Sequence, residues 1–335
     1  MAVDSQPVFI VGVARSGTTL LQQMLDHHPA FAFPWESHFI PVFHRHLAVF
    51  GDLKVAANRQ RLIEAIVEYV PVSFGEKLPG EWIPGLSAAA PEIAASAPAD
   101  YAGIVDAVYQ FMVRQRGRRR WGDKTPGYIN SMPLLLELFP GARFIHMVRD
   151  GRDVAASVGP LSFGPSTAHL GARKWVSFIR HGLNFQKAHP DRVMLLKYED
   201  LAADPETHCR KVCEFLGEEF DPAMLSFHED GSQRIPGQGI HEMISQPPSL
   251  KRVGRWKKDL TPGQVRVFEA IAGPMLQQFG YELSQPRPKV RFYDKPLSVI
   301  GEKVLWMRPN TKPLSLAERL DLGKRRKAFR AKYGF

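Results

Sequence analysis

Residues 7–13 read PVFIVGV, and the chain continues as GVARSGTT over residues 12–19. A short apolar run that leads into a glycine-rich loop is typical of a strand buried on both faces of a parallel sheet. Apolar residues follow at positions 20, 21, 24 and 25, and Pro29 lies just beyond them, which is the spacing of a helix that ends there. This stretch therefore predicts the strand, loop and helix with which an α/β fold begins.

Similar units recur along the chain. Buried strands are predicted at residues 142–148 (ARFIHMV) and 192–197 (RVMLLK), and a short strand before Lys124. Helices are predicted over residues 59–70, 101–116, 129–139, 168–188, 205–216 and 262–279. Strands that alternate with helices indicate an α/β fold with a P-loop-type, mostly parallel central sheet flanked by helices.

Two stretches do not follow this alternation. Residues 71–100 are rich in Pro, Gly and Ala, and we predict an irregular excursion that forms a lid or an acceptor-site loop. Residues 228–258 combine turn residues with mixed charge, which predicts a mobile segment.

The net charge of +10 arises in the C-terminal part of the chain. Residues 286–335 hold 14 Lys and Arg against 4 Asp and Glu, whereas residues 1–285 hold 30 of each. We therefore predict a main domain over residues 1–285 and a basic C-terminal extension over residues 286–335. Because the main domain is neutral overall, the composition argues against a nucleic-acid partner.

The sequence also indicates a cellular compartment. Cys209 and Cys213 are too few for a disulfide framework or a zinc site, which favours a reducing environment. The N-terminus lacks the basic region of a signal peptide, and the chain has no run of 18 apolar residues that could span a membrane. These features predict a cytoplasmic protein.

The loop over residues 12–17 has the G-x4-G spacing of a phosphate-binding loop. At the start of a helix such a loop offers free backbone N–H groups to an anion. Thr18 stands where a P-loop has the lysine that reaches the β- and γ-phosphates, and Arg15 supplies a fixed positive charge within the loop. The loop is thus suited to a phosphate but not to ordinary nucleoside triphosphate hydrolysis, and the alternative is a strand–helix turn without a ligand.

A second cationic motif favours the ligand. Residues 149–152 read RDGR at the end of a predicted strand, and Ser157 lies on the helix that follows. Ligands of open α/β sheets bind at the carboxyl ends of the strands. Two cationic strand ends side by side predict a nucleotide with two separate anionic ends.

With these motifs, the sequence resembles the sulfotransferases that use 3′-phosphoadenosine 5′-phosphosulfate (PAPS). The order of the first loop, Glu36, Lys124 and the RDGR motif is most similar to the protein-tyrosine sulfotransferase branch. The resemblance covers roughly residues 7–280 and implies PAPS as the co-substrate. The residues it implies for PAPS binding are Arg15, Ser16, Gly17, Thr18 and Thr19 for the 5′-phosphosulfate, Arg149 and Ser157 for the 3′-phosphate, Tyr198 near the nucleotide, and Lys251 and Arg255 in a late basic loop.

The same resemblance implies catalytic roles for Glu36, Arg15 and Lys124. Glu36 would be the general base, and His38, two residues further on, is the rival candidate. We expect the neighbouring aromatic residues to raise the pKa of Glu36 towards neutrality. Arg15 and Lys124 would stabilise the transferring group and the leaving oxygen, so that no metal is required.

The sequence leaves the acceptor open. The predicted partner is a hydroxyl-bearing molecule: a glycan, a lipid, a small metabolite or a tyrosyl peptide. Residues 314–335 mix Leu316, Leu320, Leu322, Phe329 and Tyr333 with cations. They predict either a helix on an anionic membrane surface or a helix packed on the domain or on the second subunit of a homodimer.

Two other functions are compatible with parts of the sequence. A P-loop kinase or other NTPase would explain the first loop, but it calls for a lysine at position 18. A non-catalytic basic membrane-binding module would explain the C-terminal charge, but it leaves Glu36 and the two phosphate motifs unexplained.

Overall fold

The computed structural model describes residues 6–74, 81–159, 165, 167–229, 246, 248–307 and 316–335, with the backbone alone for residues 74, 302–307 and 316–320. Its centre is a five-stranded sheet in the order β2-β3-β1-β4-β5, in which every pairing is parallel. The strands are β1 (Val8–Gly12), β2 (Phe31–Ala32), β3 (Arg120–Lys124), β4 (Arg143–Val148) and β5 (Val193–Lys197). The predicted α/β fold with a parallel central sheet is confirmed.

Helices connect the strands and cover both faces of the sheet. They are α1 (Thr18–His27), α2 (Ile40–Arg45), α3 (Ala56–Phe74), α4 (Leu86–Ser96), α5 (Tyr101–Gln115), α6 (Met132–Leu138), α7 (Gly151–Val158), α8 (Ala168–Ala188), α9 (Tyr198–Ala203), α10 (Pro205–Leu216), α11 (Trp256–Asp259), α12 (Pro262–Gln278), α13 (Asp294–Met307) and α14 (Leu316–Tyr333). Within the described ranges, none of them combines the length and apolarity needed to cross a membrane.

Strand β1 lies at the middle of the sheet, and all five of its residues are buried. Its side chains alternate between the two faces, as in any strand. Phe9 and Val11 join the core formed with α3 to α5, while Val8 and Ile10 join the core formed with α1 and α10. The continuous apolar run follows from this two-sided burial.

Residues 71–100 are more regular than the sequence analysis predicts. Helix α3 continues to Phe74, and α4 occupies residues 86–96 of the predicted irregular excursion. Leu86, Ala90 and Ile93 are buried on one face of α4, which packs against α3 and α5. The prediction is wrong here because burial of this apolar face stabilises the helix despite Pro91.

Two other predictions are not confirmed as made: one helix has different bounds, and one segment is only partly described by the structure. The helix expected over residues 129–139 is a 3₁₀ turn followed by the shorter α6. Most of the predicted mobile segment, residues 230–245 and 247, lies outside the described residues. The part that follows contains α11, which packs against α7.

Helix α14 packs against α3. Phe329 and Tyr333 are buried in the same core as α3 to α5, and Leu322 is also buried. Lys332 Nζ lies 2.6 Å from a carboxylate oxygen of Glu68, which fixes the end of the helix. These apolar side chains of the C-terminal extension are therefore covered by the protein itself.

Candidate active site

The carboxyl ends of all five strands bring the predicted site residues to one edge of the sheet. Lys124 ends β3, the loop over residues 12–17 follows β1, Arg149 follows β4, and Tyr198 follows β5. Glu36 lies four residues after β2. Since the strands are parallel and adjacent, these residues line one crevice, which is where open α/β sheets bind ligands.

The first loop is shaped by its two glycines. Gly12 has a φ of 148° and Gly17 a φ of 89°, conformations that side chains rarely adopt. A Cβ on Gly17 would lie 2.5 Å from the ring of Tyr198, so the loop and the end of β5 are in close contact. Thr18 and Thr19 follow as the first two residues of α1, whose N-terminus is aimed at the crevice.

Arg15 and His38 are both strained. Among the described residues, they are the two non-glycine residues with positive φ, at 74° and 57°. Such conformations cost about 1–3 kcal/mol and persist where the surrounding structure holds them, often at functional sites. The strain therefore marks two positions that the sequence analysis selects on other grounds.

Arg149 joins three parts of the chain. It donates hydrogen bonds from Nη1 to the carbonyl oxygen of Arg15 at 3.1 Å and from Nη2 to that of Arg252 at 2.7 Å. Its guanidinium lies 4.4 Å from the centre of the Tyr198 ring, a cation–π contact. Arg15 in turn donates from Nε to Ser157 Oγ at 3.1 Å. The structure thus brings the two predicted phosphate motifs together.

The cationic cluster is suited to an anion. Burial is the largest cause that lowers the pKa of Arg15 to about 10, and the nearby charges of Arg149 and Arg252 lower it further. Ser16 Oγ and Arg149 Nε are buried and have no hydrogen-bond partner within the described part of the chain. Oxygen atoms of two anionic groups, one at each atom, would satisfy them and relieve the repulsion, so these residues fit a ligand with two phosphate-like ends.

Glu36 lies between Lys124 and His38. Its Oε1 forms an ion pair with the fully buried Nζ of Lys124, and its Oε2 is 3.1 Å from Nε2 of His38. The ammonium of Lys124 also lies 4.7 Å from the centre of the Trp35 ring. The carboxylate is 17% exposed and His38 is 39% exposed, so this group opens towards solvent on the side of His38.

The pKa of Glu36 is shifted in the direction opposite to our expectation. Burial alone would raise the pKa, but the charge of Lys124 and the contact with His38 outweigh it and lower the pKa to about 2. The expected rise is wrong because Lys124, 88 residues away in sequence, is the direct partner of the carboxylate. Glu36 is therefore ionised at neutral pH, which is the state a general base requires.

Several hydrogen bonds hold Glu36 in this position. The backbone N–H of Ser37 donates to Thr125 Oγ1 at 3.1 Å, and the hydroxyl groups of Ser37 and Tyr128 are 2.7 Å apart. Trp82 Nε1 donates to the carbonyl oxygen of Trp35 at 2.7 Å. The turn that carries Glu36 is thus fixed on both sides by residues distant in sequence.

Asp123, next to Lys124, has a structural role. Its carboxylate is fully buried and accepts a hydrogen bond of 2.5 Å from the hydroxyl group of Tyr109. Burial raises its pKa above the ordinary value.

The late basic loop is anchored by Asp153, which the sequence analysis did not select. Its two carboxylate oxygens accept hydrogen bonds of 2.8 Å from the backbone N–H groups of Gly254 and Trp256. The loop then directs Arg252 towards Arg15 and Arg149, while Arg255 pairs with Asp259 at 2.7 Å and Lys251 is exposed. An acidic residue four positions after Arg149 is the signal that could have indicated this anchor.

The crevice combines a phosphate loop without the usual lysine, a second cationic strand end and an ionised carboxylate paired with a lysine. Those features define an α/β protein with a crevice suited to an anionic ligand beside an ionised carboxylate. The chain matches the family model described as "Sulfotransferase family" over residues 7–222, and a "Sulfotransferase domain" model over residues 166–280. It belongs to the sulfotransferase family.

Curated relatives include proteins of the tyrosine-directed branch. The chain is 27% identical to "Protein-tyrosine sulfotransferase" of Drosophila melanogaster, over 92% of this chain and 56% of that protein. It is 26% identical to "Protein-tyrosine sulfotransferase A" of Caenorhabditis elegans, over 88% of this chain and 72% of that protein. The resemblance to this branch is confirmed, and the chain spans little more than half the length of the Drosophila relative.

Solved structures agree on the fold. The chain is similar to "Sulfotransferase Domain from the Synechococcus PCC 7002 Olefin Synthase", with a TM-score of 0.53 and 24% identity over 84% of this chain and 98% of that one. "Sulfotransferase Domain from the Curacin Biosynthetic Pathway" gives a TM-score of 0.52 at 20% identity, over 84% of this chain and 100% of that one. At this identity, the similarity concerns the fold alone.

Proposed function

We propose that this protein transfers a sulfuryl group from PAPS to the hydroxyl group of an acceptor, without a metal ion. The observation that carries the proposal is the position of ionised Glu36, paired with Lys124, beside the cationic cluster of Arg15 and Arg149. Sulfuryl transfer needs a base for the hydroxyl proton and fixed cations for the charge on the donor, and these residues would supply both.

The described residues suggest how PAPS would be held. The loop with Arg15 and Ser16 would bind the 5′-phosphosulfate at the N-terminus of α1, and Arg149, Ser157 and Arg252 would bind the 3′-phosphate. Roles for Gly17, Thr18, Thr19, Tyr198, Lys251 and Arg255 remain predictions that follow from the family resemblance. When bound, PAPS would supply the sulfuryl group and a phosphate leaving group.

Glu36 would accept the proton of the acceptor hydroxyl. Lys124 keeps the carboxylate ionised in the structure, and it would also stabilise the leaving oxygen. If Lys124 turns towards the donor, the pKa of Glu36 rises, because the largest of the influences that lower it is weakened. The base would then gain proton affinity when the donor is in place, and a Glu36 pKa that is unchanged when adenosine 3′,5′-bisphosphate binds would contradict this step.

The acceptor is a hydroxyl-bearing molecule, and a tyrosyl peptide is the first candidate. The support is that the relatives from Drosophila melanogaster and Caenorhabditis elegans are protein-tyrosine sulfotransferases by name. A glycan, a lipid and a small metabolite are the other acceptor classes to be tested. Transfer of radioactive sulfur from labelled PAPS to each acceptor class would identify the substrate, and labelling of none of them would contradict the proposal.

The donor is tested most directly by calorimetric titration with adenosine 3′,5′-bisphosphate in EDTA, with ATP as the comparison. We expect binding of the bisphosphate, retention of binding in Glu36→Gln, and a loss in Arg149→Ala. Binding of ATP that requires magnesium, with no binding of the bisphosphate, would instead favour the kinase interpretation.

The remaining predictions concern location and assembly. A cytoplasmic location, contact of residues 314–335 with an anionic membrane, and a homodimer are still hypotheses. The burial of Phe329 and Tyr333 leaves α14 with its charges, rather than these apolar groups, facing solvent. Vesicle binding that is unchanged after deletion of residues 314–335 would rule out a membrane role for this tail.

A further inference from the structure

The first part of α13, residues 294–301, is amphipathic in the reverse sense of an ordinary surface helix. Over residues 294–301, the side that faces the protein carries Asp294, Ser298 and Gly301. The side that faces solvent carries Leu297, which is 60% exposed, and Ile300, which is 56% exposed. A surface helix normally buries its apolar face, so this exposed face calls for a covering partner.

Specific polar contacts hold the helix in this orientation. Ser298 Oγ lies 2.5 Å from Thr167 Oγ1 at the start of α8. Asp294 forms an ion pair of 2.9 Å with Arg266 of α12. Because both contacts are made by the buried side, the helix cannot turn its apolar side inwards without breaking them.

The apolar surface extends into the segment before α13. Phe292 is 91% exposed, and Val290 and Val299 are also exposed. We call Val290, Phe292, Leu297, Val299 and Ile300 the α13 patch. Five such exposed side chains within residues 290–300 are a local concentration, whereas isolated apolar residues occur on any protein surface, and a concentration of this kind marks an interaction site.

Cations predominate in the segment that carries the α13 patch, and Glu302 is the acidic residue that follows it in sequence. Arg287, Lys289, Arg291 and Lys295 are all exposed. The only acidic residue in 286–301 is Asp294, whose carboxylate is 6% exposed and is neutralised by Arg266. Exposed apolar side chains within a cationic rim are the combination with which peripheral proteins bind a negatively charged bilayer.

We propose that the α13 patch docks the protein on an anionic lipid surface, with Phe292 inserted among the lipids and the cations on the headgroups. A second copy of the chain is a poorer occupant, since a symmetric interface would bring the same four cations together from both subunits. The surface differs from α14, whose Phe329 and Tyr333 are buried. The proposal does not depend on the catalytic function.

The test is flotation of the full chain with vesicles of pure phosphatidylcholine and with vesicles that contain about 30% phosphatidylserine. We expect binding to the second type only, and weaker binding at about 500 mM salt than at about 100 mM. The variant Phe292→Ser/Leu297→Ser/Ile300→Ser should bind at least about tenfold more weakly. Lys289→Gln/Lys295→Gln should reduce binding about fivefold for each charge removed.

Two variants serve as matched controls. Val55→Ser replaces an exposed apolar residue immediately before α3, outside the α13 patch, and should bind like the native protein. Lys324→Gln/Lys327→Gln removes the same number of charges from α14 and should reduce binding much less than the lysine variant of the patch. All these substitutions are at exposed positions, and thermal melting checks that each variant is folded.

Three results would overturn the proposal. The native protein could fail to float with anionic vesicles, or the triple serine variant could float like the native protein. The third result is that Lys324→Gln/Lys327→Gln loses as much binding as Lys289→Gln/Lys295→Gln. Sedimentation of the same samples tests whether a second copy of the chain covers the α13 patch instead of a lipid surface. A dimer that the triple serine variant converts to a monomer, with no vesicle binding, would assign the surface to a second copy.

Discussion

Replacing Glu36 by glutamine tests the ion pair at the centre of the candidate site. The variant keeps the shape of the side chain but leaves the fully buried ammonium of Lys124 without its carboxylate partner. In the folded protein the pKa of Glu36 is lowered from 4.5 to about 2, and at 1.36 kcal/mol per unit this corresponds to about 3 kcal/mol at neutral pH. Breaking one side of a buried pair costs a similar amount, about 3–5 kcal/mol.

Urea unfolding at pH 7 measures this cost. We expect Glu36→Gln to lower the free energy of unfolding by about 3 kcal/mol. The double variant Glu36→Gln/Lys124→Met should recover most of the loss, because it removes both charges together. Glu206→Gln, which breaks the exposed ion pair with Arg210, is the control and should cost less than about 1 kcal/mol.

The same variants separate stability from catalysis. Glu36→Gln should reduce sulfuryl transfer at least about 100-fold while the affinity for adenosine 3′,5′-bisphosphate stays nearly constant. The double variant should remain inactive although it is more stable. A loss of stability below about 1 kcal/mol, or a double variant as unstable as the single one, would refute the buried-pair reasoning. Normal transfer by Glu36→Gln would refute the assignment of the base and favour His38.

Three further predictions follow from other contacts. Arg149→Ala should weaken binding of adenosine 3′,5′-bisphosphate at least about tenfold in calorimetry, since it removes a charged hydrogen-bond donor from the cluster; an unchanged affinity would exclude Arg149 from the nucleotide site. Gly17→Ala should destabilise the fold by about 1–3 kcal/mol, because φ is 89° and the new Cβ would lie 2.5 Å from the Tyr198 ring, whereas Gly263→Ala, with open space around it, should leave the melting temperature nearly unchanged. Burial lowers the pKa of His146 from 6.5 to about 4, so stability is fully present above pH 6.5 and falls by about 3 kcal/mol as the pH drops towards 4. His146→Leu should lack this loss when unfolding is compared at pH 7 and pH 4.5, and an equal loss in both proteins would contradict the assignment.

The parts of the fold that were predicted correctly have local causes. Asp204 and Thr261 each accept a hydrogen bond from the backbone N–H three residues later, and each is followed by proline at the first helical position. A cap of this kind involves only four consecutive residues and can therefore be recognised from the sequence. Strand β1 was likewise recognisable because burial on both faces demands an uninterrupted apolar run.

Features that depend on distant residues were not predictable in this way. Strand β2 has only two residues and is defined by its pairing with β3. Gly182 lies within the continuous helix α8, and its lack of a side chain leaves room for the ring of His146 on β4, from which a Cβ would be only 2.2 Å away. The direction of the Glu36 pKa shift similarly depends on Lys124, at the end of another strand. In each case the feature depends on a residue that is distant in sequence and is brought close only by the fold, so the local sequence does not predict it.

The strain at Arg15 and His38 supports the site independently of the family resemblance. At a positive φ, glycine is the residue that costs least, so a larger side chain at such a position lowers the stability of the fold. Both residues nevertheless direct polar groups into the crevice, Arg15 towards Ser157 and His38 towards Glu36. Local conformations that conflict with the best choice for folding are expected where a side chain is needed for function. The strained backbone therefore lies at the same two ends of the crevice as the charged groups. Arg15 belongs to the cationic cluster, and His38 lies beside the candidate base Glu36.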